Sequence, residues 1–342
     1  MHYHGAPFWC NEIVTEAGTG EQVTMVVQSN TAMDLVYTWV DGADPAWQAE
    51  KERYAHEAGY YIGNRNCRWQ DNEELRYSLR SVAAYWPFEG TIYIVTAGQT
   101  PAWLNTEHPC IRVVDHREII PADYLPTFSS TGIIARLHHI HGLRERYLYL
   151  NDDFFFLRPV QERDFYDGES SLFYVNEQRV DDANHVSETS HSDRNGVVFS
   201  RTFMQREFGV TDAFPMPEHA PKAMQRSWVM QLEKQFPSLF QDAMQGRFRR
   251  ADAPIIDDLF FRWLHHLGRA QYRQNRNCYM ENCTPDSAEQ YAALLEGRHD
   301  SLCLCINDIS DDMSEALYAP YQQQMQGFLA ARFPEKSDFE CD

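Results

Sequence analysis

Acidic residues directly follow two segments with the composition of buried β-strands. These acidic turns are Asp41-Gly42, which follows residues 34–40, and Asp152-Asp153, which follows residues 147–150. Adjacent carboxylates at the end of a buried strand are costly unless a positive group neutralises them. A divalent cation carrying a diphosphate would do so, because Mg²⁺ commonly binds one or two carboxylates together with phosphate oxygens. The alternative is that one Asp caps a turn and the other is solvated. The apolar run Phe154–Phe156, directly after the second pair, favours a buried site.

Three further positions carry side chains suited to catalysis or anion binding. His219 lies in a loop bounded by Pro217 and Pro221, where functional residues concentrate, and the ordinary pKa of histidine suits a general base. Arg247, Arg249 and Arg250 form a basic cluster, which is either a solvated face or a clamp for a diphosphate. Asn307 and Asp308 follow a third short apolar segment. The residues alone indicate a metal-dependent enzyme that acts on a nucleotide-linked substrate.

Composition excludes several classes of protein. The 342 residues carry 30 Lys+Arg against 50 Asp+Glu, a formal charge of -20, which argues against binding to nucleic acid or to an anionic membrane surface. No segment approaches the roughly 20 apolar residues of a membrane span, and Met1–Cys10 lack the pattern of a signal peptide. We therefore expect a cytoplasmic protein. The eight cysteines are expected to be reduced, with a zinc site formed by residues 278, 283, 303 and 305 as the alternative.

The two acidic turns can form one site only if the sheet brings the ends of their strands close together. Apolar runs at 34–40, 91–96, 111–115 and 147–150 alternate with helical patterns at 71–86 and 131–141, which predicts a mostly parallel α/β sheet covered on both faces. Ligands of such sheets bind at the carboxyl ends of the strands. Further strands are predicted at 23–27 and 196–203. The remaining predicted helices lie at 222–236, 255–268, 286–297 and 313–332.

These patterns predict three segments: an irregular stretch at 1–33, an α/β core at 34–205 that binds the nucleotide-linked substrate, and a helix-rich part at 206–342 that completes the active site. The boundary between the last two is soft, and the alternative is one compact catalytic domain.

Motifs in four ordered regions resemble those of the Stealth family of sugar-1-phosphate transferases. The first region resembles residues 34–45, and the second extends from 71–81 through 92–105 and 125–130 to 149–154. The third resembles His219-Ala-Pro221, the segment to Pro237 and 247–249, and the fourth resembles 305–308. The tail at 333–340 is also similar, so the resemblance covers about residues 34 to 340.

The resemblance implies a Rossmann-like, glycosyltransferase-A-like α/β core with a helical C-terminal half. It implies a nucleotide-diphosphate sugar as donor, with UDP-GlcNAc the expected one, a glycan acceptor in capsule or exopolysaccharide synthesis, and Mg²⁺ or Mn²⁺ as cofactor. Association with the periphery of a membrane export complex is compatible with that role. The positions carried over are Asp41 and Gly42 in the nucleotide pocket, Asp152 and Asp153 as the essential acidic pair, and His219, Arg249 and Asp308.

We therefore predict transfer of a sugar-1-phosphate, with release of a nucleoside monophosphate. The predicted catalytic residues are His219, Arg249, Asp152 and Asp153, the predicted metal ligands are Asp152, Asp153 and Asp308, and the predicted substrate-binding residues are Asp41, Gly42, Arg76 and Arg247. One alternative is a metal-dependent glycosyltransferase that releases UDP. Another is a non-catalytic carbohydrate-binding protein, since the many Tyr and Trp residues suit sugar stacking.

Overall fold

The structure is a computed structural model that describes residues 32–58, 61, 64–274, 277–310 and 313–341. The predicted strand at 23–27 lies outside these residues. Among the helices in the described ranges, none has the length together with the apolar character that a bilayer span requires.

Strands and helices alternate through the first half of the chain and intermix through the second. The strands are β1 (Asp34–Thr38), β2 (Ile92–Thr96), β3 (Ile111–Asp115), β4 (Arg146–Asn151), β5 (Phe154–Phe156), β6 (Tyr166–Asp167), β7 (Ser170–Val180), β8 (Phe214–Pro217), β9 (Lys222–Gln225), β10 (Ala270–Arg273), β11 (Asn277–Glu281) and β12 (Cys303–Asn307). The helices are α1 (Pro45–Tyr54), α2 (Glu74–Tyr85), α3 (His116–Ile119), α4 (Ser130–Ile134), α5 (Ser192–Phe208), α6 (Arg226–Gln235), α7 (Pro237–Met244), α8 (Ile256–His266), α9 (Ser287–Leu295) and α10 (Glu315–Arg332). Short 3₁₀ helices lie at Ala55–Glu57, Asn66–Trp69, Ala122–Tyr124, Leu137–His139 and Glu162–Asp164.

The central sheet has the strand order β3-β2-β1-β4-β9. Its first four strands are parallel, and β9 runs antiparallel to β4. The order 3-2-1-4 is that of a Rossmann-like half, so the carboxyl ends of β1 and β4 are neighbours. The predicted α/β fold with a mostly parallel sheet is confirmed, as are the strands predicted near 34–40, 91–96, 111–115 and 147–150.

Both faces of this sheet are covered, as expected for parallel strands. Side chains alternate along β1, so that Leu35 and Tyr37 pack in one core with helix α2, while Val36 packs in the other core with α5, α7 and α8. The same alternation holds along β2 and β4. Burial on both faces explains why these strands read as continuous apolar runs.

Two smaller sheets extend the fold, with the orders β10-β7-β6 and β11-β12-β5. In the second of these, β12 pairs antiparallel with β5, directly after the Asp152-Asp153 turn, which brings residues near 307 to the same place. The part after residue 206 thus contributes strands to the central sheet and to the smaller sheets, and is less purely helical than predicted. The three-segment division stays a prediction.

Two predicted elements are wrong in type. Residues 196–203 lie within helix α5, although Val197, Val198 and Phe199 favour a strand. Tertiary packing explains the difference, because Val197, Val198 and Phe203 are buried in a core shared with helix α8. Gly196 allows a close approach to Ile255, where an added Cβ would lie 2.5 Å from the Cγ1 atom. Residues 222–225 form strand β9, and the predicted helix begins only at Arg226.

Candidate active site

A cavity of about 310 Å³ opens at the carboxyl ends of β1, β2 and β4. Thr38 and Trp39 from the end of β1, Ala97 from the end of β2, and Asp152 and Asp153 from the end of β4 line it. The loop before β9, the start of α8 and the end of β12 close the other sides. This position agrees with the rule that open α/β sheets bind ligands at the carboxyl ends of their strands.

The predicted acidic pair lies in the cavity wall. Burial raises the pKa of Asp152 well above its ordinary value, and the charges of Asp153, Glu74 and Asp71 act in the same direction. Burial also raises the pKa of Asp153, partly offset by His219. The Oδ2 atom of Asp153 accepts from the Cys305 thiol at 3.5 Å, and its Oδ1 atom is buried with no partner among the described residues. The pair is thus short of positive charge.

Helix α2 adds a third carboxylate to this acidic wall. Glu74, at the first position of α2, lines the cavity and accepts hydrogen bonds from the backbone and side chain of Asn72. Burial raises the pKa of Glu74 to about 8, and the charge of Asp71 contributes. The preceding Glu73 has a positive φ of 68°, a backbone conformation that is rare outside glycine and clusters at functional sites.

Two guanidinium groups lie in the same cavity. Burial lowers the pKa of Arg249 to about 10, and the neighbouring charge of Arg68 acts in the same direction. Arg249 is fixed by Asn64, which bonds to its backbone, and by Ser130, whose Oγ accepts from its Nε at 3.1 Å. Arg68 donates to the Asn307 side chain at 3.2 Å, and its buried Nε has no partner among the described residues. Two neighbouring, half-buried guanidinium groups are suited to bind an anion.

His219 lies at the cavity mouth with its side chain 37% exposed. Its Nε2 atom lies 3.7 Å from Oδ2 of Asp193, and its ring packs on Tyr279 at 4.5 Å between centroids. Although burial acts to raise it, the contact with His219 lowers the pKa of Asp193 below its ordinary value. An ionised Asp193 beside Nε2 favours the tautomer protonated there, which leaves Nδ1 as a proton acceptor.

Asp308 lies in the cavity wall but is already engaged. Its Oδ2 atom accepts from the Tyr318 hydroxyl at 2.6 Å, and its Oδ1 atom accepts from the backbone of Ser310 at 2.8 Å. Among the described residues, Asp152, Asp153 and Asp308 do not form a set with ligand atoms within 4.8 Å of one another. The three predicted metal ligands therefore share a cavity but are not gathered around one point.

Asp41 and Gly42 shape the approach to the cavity and are not part of its lining. The backbone of Asp41 exchanges two hydrogen bonds with the Gln99 side chain, at 2.9 and 3.1 Å. Gly42 lies against the segment that carries Arg68, because a Cβ at this position would lie 1.8 Å from the carbonyl oxygen of Trp69. A glycine is needed here for close approach of the two backbones.

Arg76 and Arg247 are not brought to the cavity. Arg76 donates to Glu340 at 2.6 Å and to Glu73 at 3.1 Å, on the side of α2 that faces the 337–340 segment. Arg247 pairs with Glu57 at 3.1 Å and lies over the Tyr54 ring. In the predicted basic cluster it is therefore Arg249 that faces the site.

Several cavity residues gave no signal in the sequence. Trp47, Trp69 and Phe128 form an aromatic wall at the β1–β2 end, with ring centroids 5.6 to 6.2 Å apart. At the β4–β9 end, Lys222 and Asp257 line the cavity. These residues, together with Arg68 and Asp193, come from distant segments, and no motif spacing connects them.

One group of potential metal ligands lies outside the cavity. His138, His139 and Glu233 offer ligand atoms within 4.8 Å of one another, and no other group of three does so among the described residues. Both histidines bond to one oxygen of Glu233, at 2.7 and 2.8 Å, and Arg136 bonds to the other. The carboxylate is thus already neutralised within the fold. The alternative zinc site of cysteines 278, 283, 303 and 305 gains no support from the described residues.

Comparison with known sequences places these features in a family. Residues 31–58 match the family model "Stealth protein CR1, conserved region 1", and residues 68–173 match "Stealth protein CR2, conserved region 2". An exopolysaccharide phosphotransferase of Streptomyces coelicolor is 37% identical over 316 residues, which are 90% of this chain and 52% of that protein. The chain thus spans about half the length of this relative.

Two capsular polysaccharide phosphotransferases match over more of their own length. That of Haemophilus influenzae is 31% identical over 81% of this chain and 78% of its own length. That of Neisseria meningitidis is 31% identical over 82% of this chain and 78% of its own length. Among solved structures, the galactosyltransferase LgtC in complex with donor and acceptor sugar analogues aligns with a TM-score of 0.42 and 14% identity, over 87% of this chain and 96% of that one.

Proposed function

Because the chain belongs to the Stealth family, we propose that it transfers a sugar-1-phosphate from a nucleotide-diphosphate sugar to a glycan hydroxyl, in capsule or exopolysaccharide synthesis. The observation that carries this proposal is the meeting, in one cavity, of a half-buried acidic pair and two half-buried arginines. A diphosphate with a divalent cation complements both. The relatives named as phosphotransferases support the same reaction class.

Asp152 and Asp153 are suited to hold the cation. Asp153 keeps a buried carboxylate oxygen without a partner among the described residues, and Asp152 is half-buried beside other acids, so both would gain from a bound positive charge. Mg²⁺ is the expected ion, since it uses one or two carboxylates and takes its remaining ligands from phosphate and water. When bound, it supplies charge neutralisation to the diphosphate. Asp308, held by Tyr318, faces the same space.

Arg68 and Arg249 bind the phosphoryl oxygens in this proposal. Both guanidiniums are held in place before substrate arrives, Arg249 by Ser130 and Arg68 by Asn307. Preorganised donors of this kind stabilise the charge of a transferring phosphoryl group without reorganisation, and phosphoryl transfer depends mainly on such positioning. The charge of Arg68 disfavours the protonated form of Arg249, and a bound anion would relieve this repulsion.

His219 acts as the general base. The acceptor hydroxyl loses its proton to Nδ1 of His219 as its oxygen bonds to the phosphorus next to the donor sugar. The bond from that phosphorus to the leaving phosphate oxygen breaks, and the nucleoside monophosphate departs with the electron pair. Asp193, beside Nε2, orients the ring and stabilises the imidazolium that forms.

The layout of the cavity suggests where each substrate lies. The aromatic wall at the β1–β2 end suits the flat base of the nucleotide, as in other folds with this strand order. The acidic pair on β4 lies between this wall and β9, since β4 separates β1 from β9 in the sheet. The β9 end, which carries His219 in the loop before it, remains for the acceptor.

The test is product analysis by mass spectrometry. The protein is incubated with Mg²⁺, a panel of UDP-, GDP- and CDP-sugars that begins with UDP-GlcNAc, and mixed glycan acceptors. Release of the nucleoside monophosphate together with a sugar–phosphate–sugar product is expected. Release of UDP with a plain glycosidic product would instead identify a glycosyltransferase and overturn the proposed reaction.

His219→Ala tests the base. Loss of a general base costs about 10² to 10⁴ in rate, while donor affinity measured by calorimetry stays unchanged. His141→Ala is the matched control, because His141 is exposed and lies outside the cavity lining. Wild-type turnover in His219→Ala would exclude the assigned role.

A further inference from the structure

The β9 end of the cavity carries a charged pair that the proposed chemistry leaves unused. Lys222, the first residue of β9, and Asp257, in the first turn of α8, both line the cavity. The Lys222 ammonium lies 3.7 Å from Oδ2 of Asp257 and over the Phe173 ring at 5.0 Å. Asp257 is only 7% exposed, so this is a buried carboxylate, and its contact with the Lys222 ammonium is longer than a hydrogen bond.

The adjacent Asp258 provides a comparison, because both of its carboxylate oxygens have a hydrogen-bonding partner. Asp258 points away from the cavity lining and bonds to the guanidinium of Arg262 at 2.9 and 3.5 Å, one helical turn later. The Oδ1 atom of Asp257, in contrast, is buried without a hydrogen-bond partner among the described residues. A buried polar atom without a partner is unfavourable and needs an explanation.

A substrate hydroxyl would supply the hydrogen bond that Oδ1 of Asp257 lacks among the described residues. A carboxylate can accept from two neighbouring hydroxyl groups, and an ammonium donates to a third oxygen, which together match the face of a sugar ring. A second cation is a poorer match, because Lys222 already neutralises the pair. A phosphate is also a poorer match, because the Asp257 charge would repel it.

The position of Lys222 and Asp257 in the fold indicates that this pair contacts the acceptor and not the donor. Lys222 follows His219 by three residues in the same loop-to-strand segment. The aromatic wall and the arginine-binding Ser130 and Asn64 belong to segments that precede β4 in the chain, whereas Lys222 and Asp257 lie beyond β4 on the opposite side of the acidic pair.

We propose that Asp257 and Lys222 form the recognition site for hydroxyl groups of the acceptor sugar and hold that sugar against His219. This assignment rests on the phosphotransferase function proposed above. Asp257 Oδ1 accepts a hydrogen bond from one hydroxyl, and the Lys222 ammonium donates to the oxygen of its neighbour. A site built to bond a hydroxyl discriminates strongly against a sugar that lacks it, so this pair determines which sugar is accepted.

Saturation-transfer NMR tests the site without requiring turnover. The probes are the methyl glycosides of glucose, galactose, N-acetylglucosamine and N-acetylgalactosamine, added to protein with UDP and Mg²⁺. At least one glycoside is expected to bind the wild type, and Asp257→Asn is expected to weaken that binding about 10- to 100-fold, the effect of losing a hydrogen bond to a charged group. UDP affinity, measured by calorimetry, is expected to stay the same.

Asp258→Asn is the matched control, because it alters the neighbouring carboxylate outside the cavity. It is expected to lower thermal stability, since it leaves Arg262 buried without its partner, and to keep glycoside binding. Should Asp257→Asn fail to fold, Lys222→Gln and a series of monodeoxy methyl glycosides against the wild type report on the same contacts.

Three results would overturn the assignment: no glycoside binds the wild type, Asp257→Asn binds glycosides as well as the wild type, or UDP affinity falls in place of glycoside affinity. These outcomes are separable from failure of the proposed function. If the protein releases UDP in place of UMP but Asp257→Asn still loses glycoside binding, the sugar site stands and the phosphotransferase reaction does not.

Discussion

Helix α2 contributes charged side chains to two regions. In one region the buried charge is paired within the fold, and in the other it is not. At its first position it presents Glu74 to the cavity, beside Asp71 and Asp152. Along its next two turns it presents Arg76 and Arg80 to Glu340, in a structure that we call the clasp: residues 337–340 together with these two arginines.

The two regions hold carboxylates of similar burial but opposite pKa shift. Burial dominates at Glu74 and raises its pKa to about 8. Burial also acts to raise the pKa of Glu340, but hydrogen bonds from Arg80, from the Ser337 backbone and from Arg76 outweigh it and lower the pKa to about 2. The clasp therefore satisfies its charge within the fold, whereas the acidic wall leaves its charge for a ligand. Buried charge identifies a binding site only where the protein's own partners are missing.

The largest expected effect on turnover comes from substitutions in the acidic pair. Asp152→Asn and Asp153→Asn should each lower turnover by on the order of 10³, as loss of a main electrostatic contributor does. Neither should lower the free energy of unfolding in the absence of metal, because an amide removes a charge that the fold does not compensate. Product release and urea unfolding measure the two effects. Retained turnover in both variants would contradict the assignment of the pair.

Glu340→Gln should lower the free energy of unfolding and leave turnover unchanged, which is the reverse of the effects expected for the acidic pair. It leaves Arg76 and Arg80 without their buried counter-charge, and removal of one partner of a buried ion pair costs about 3 to 5 kcal/mol. Urea unfolding measures the loss, and kcat of the folded fraction should be unchanged. Glu118→Gln is the control: Glu118 pairs with Arg112 at an exposed site, where such pairs contribute about 0 to 1 kcal/mol. Equal losses in the two variants would refute the contrast.

The clasp should also produce a specific loss of stability in acid. Glu340 has a lower pKa in the folded chain than its ordinary value of 4.5, so its contribution is complete above pH 4.5 and declines as the pH falls from 4.5 towards 2. The difference in unfolding free energy between wild type and Glu340→Gln should shrink over this range. A difference that stays constant between pH 5 and pH 3 would show that Glu340 does not titrate in this way.

The sequence predicted the parts of the fold that depend on local pattern. Strands β1 and β4 are continuous apolar runs because both sheet faces are covered, and each ends in acidic residues at the cavity or its approach. The prediction from sequence was wrong where contacts with distant segments determine the secondary structure. Lys222–Gln225 form a strand because they pair with β4, and residues 196–203 form a helix that buries Val197 and Phe203 in a core shared with α8.

The same limit applies to the site. Asp152, Asp153, His219 and Arg249 lie in recognisable motifs, and all four line the cavity. Arg68 and Asp257 have no motif, since their role depends on pairings that only the folded chain creates. Arg76 shows the converse, because a residue inside a motif binds Glu340, 264 positions away.

The clasp also has a consequence for biosynthesis. Helix α2 leaves the ribosome some 250 residues before the glutamate that neutralises its two arginines, because Arg80 and Glu340 are 260 positions apart. In a nascent chain that has not yet reached residue 340, Leu75 and Leu79 can already pack α2 into the core, but Arg76 and Arg80 still lack their buried counter-charge. Domains generally fold as units once their chain has emerged. The clasp can therefore close only after every strand and helix of the described residues has been synthesised, which makes it a late step of folding during translation.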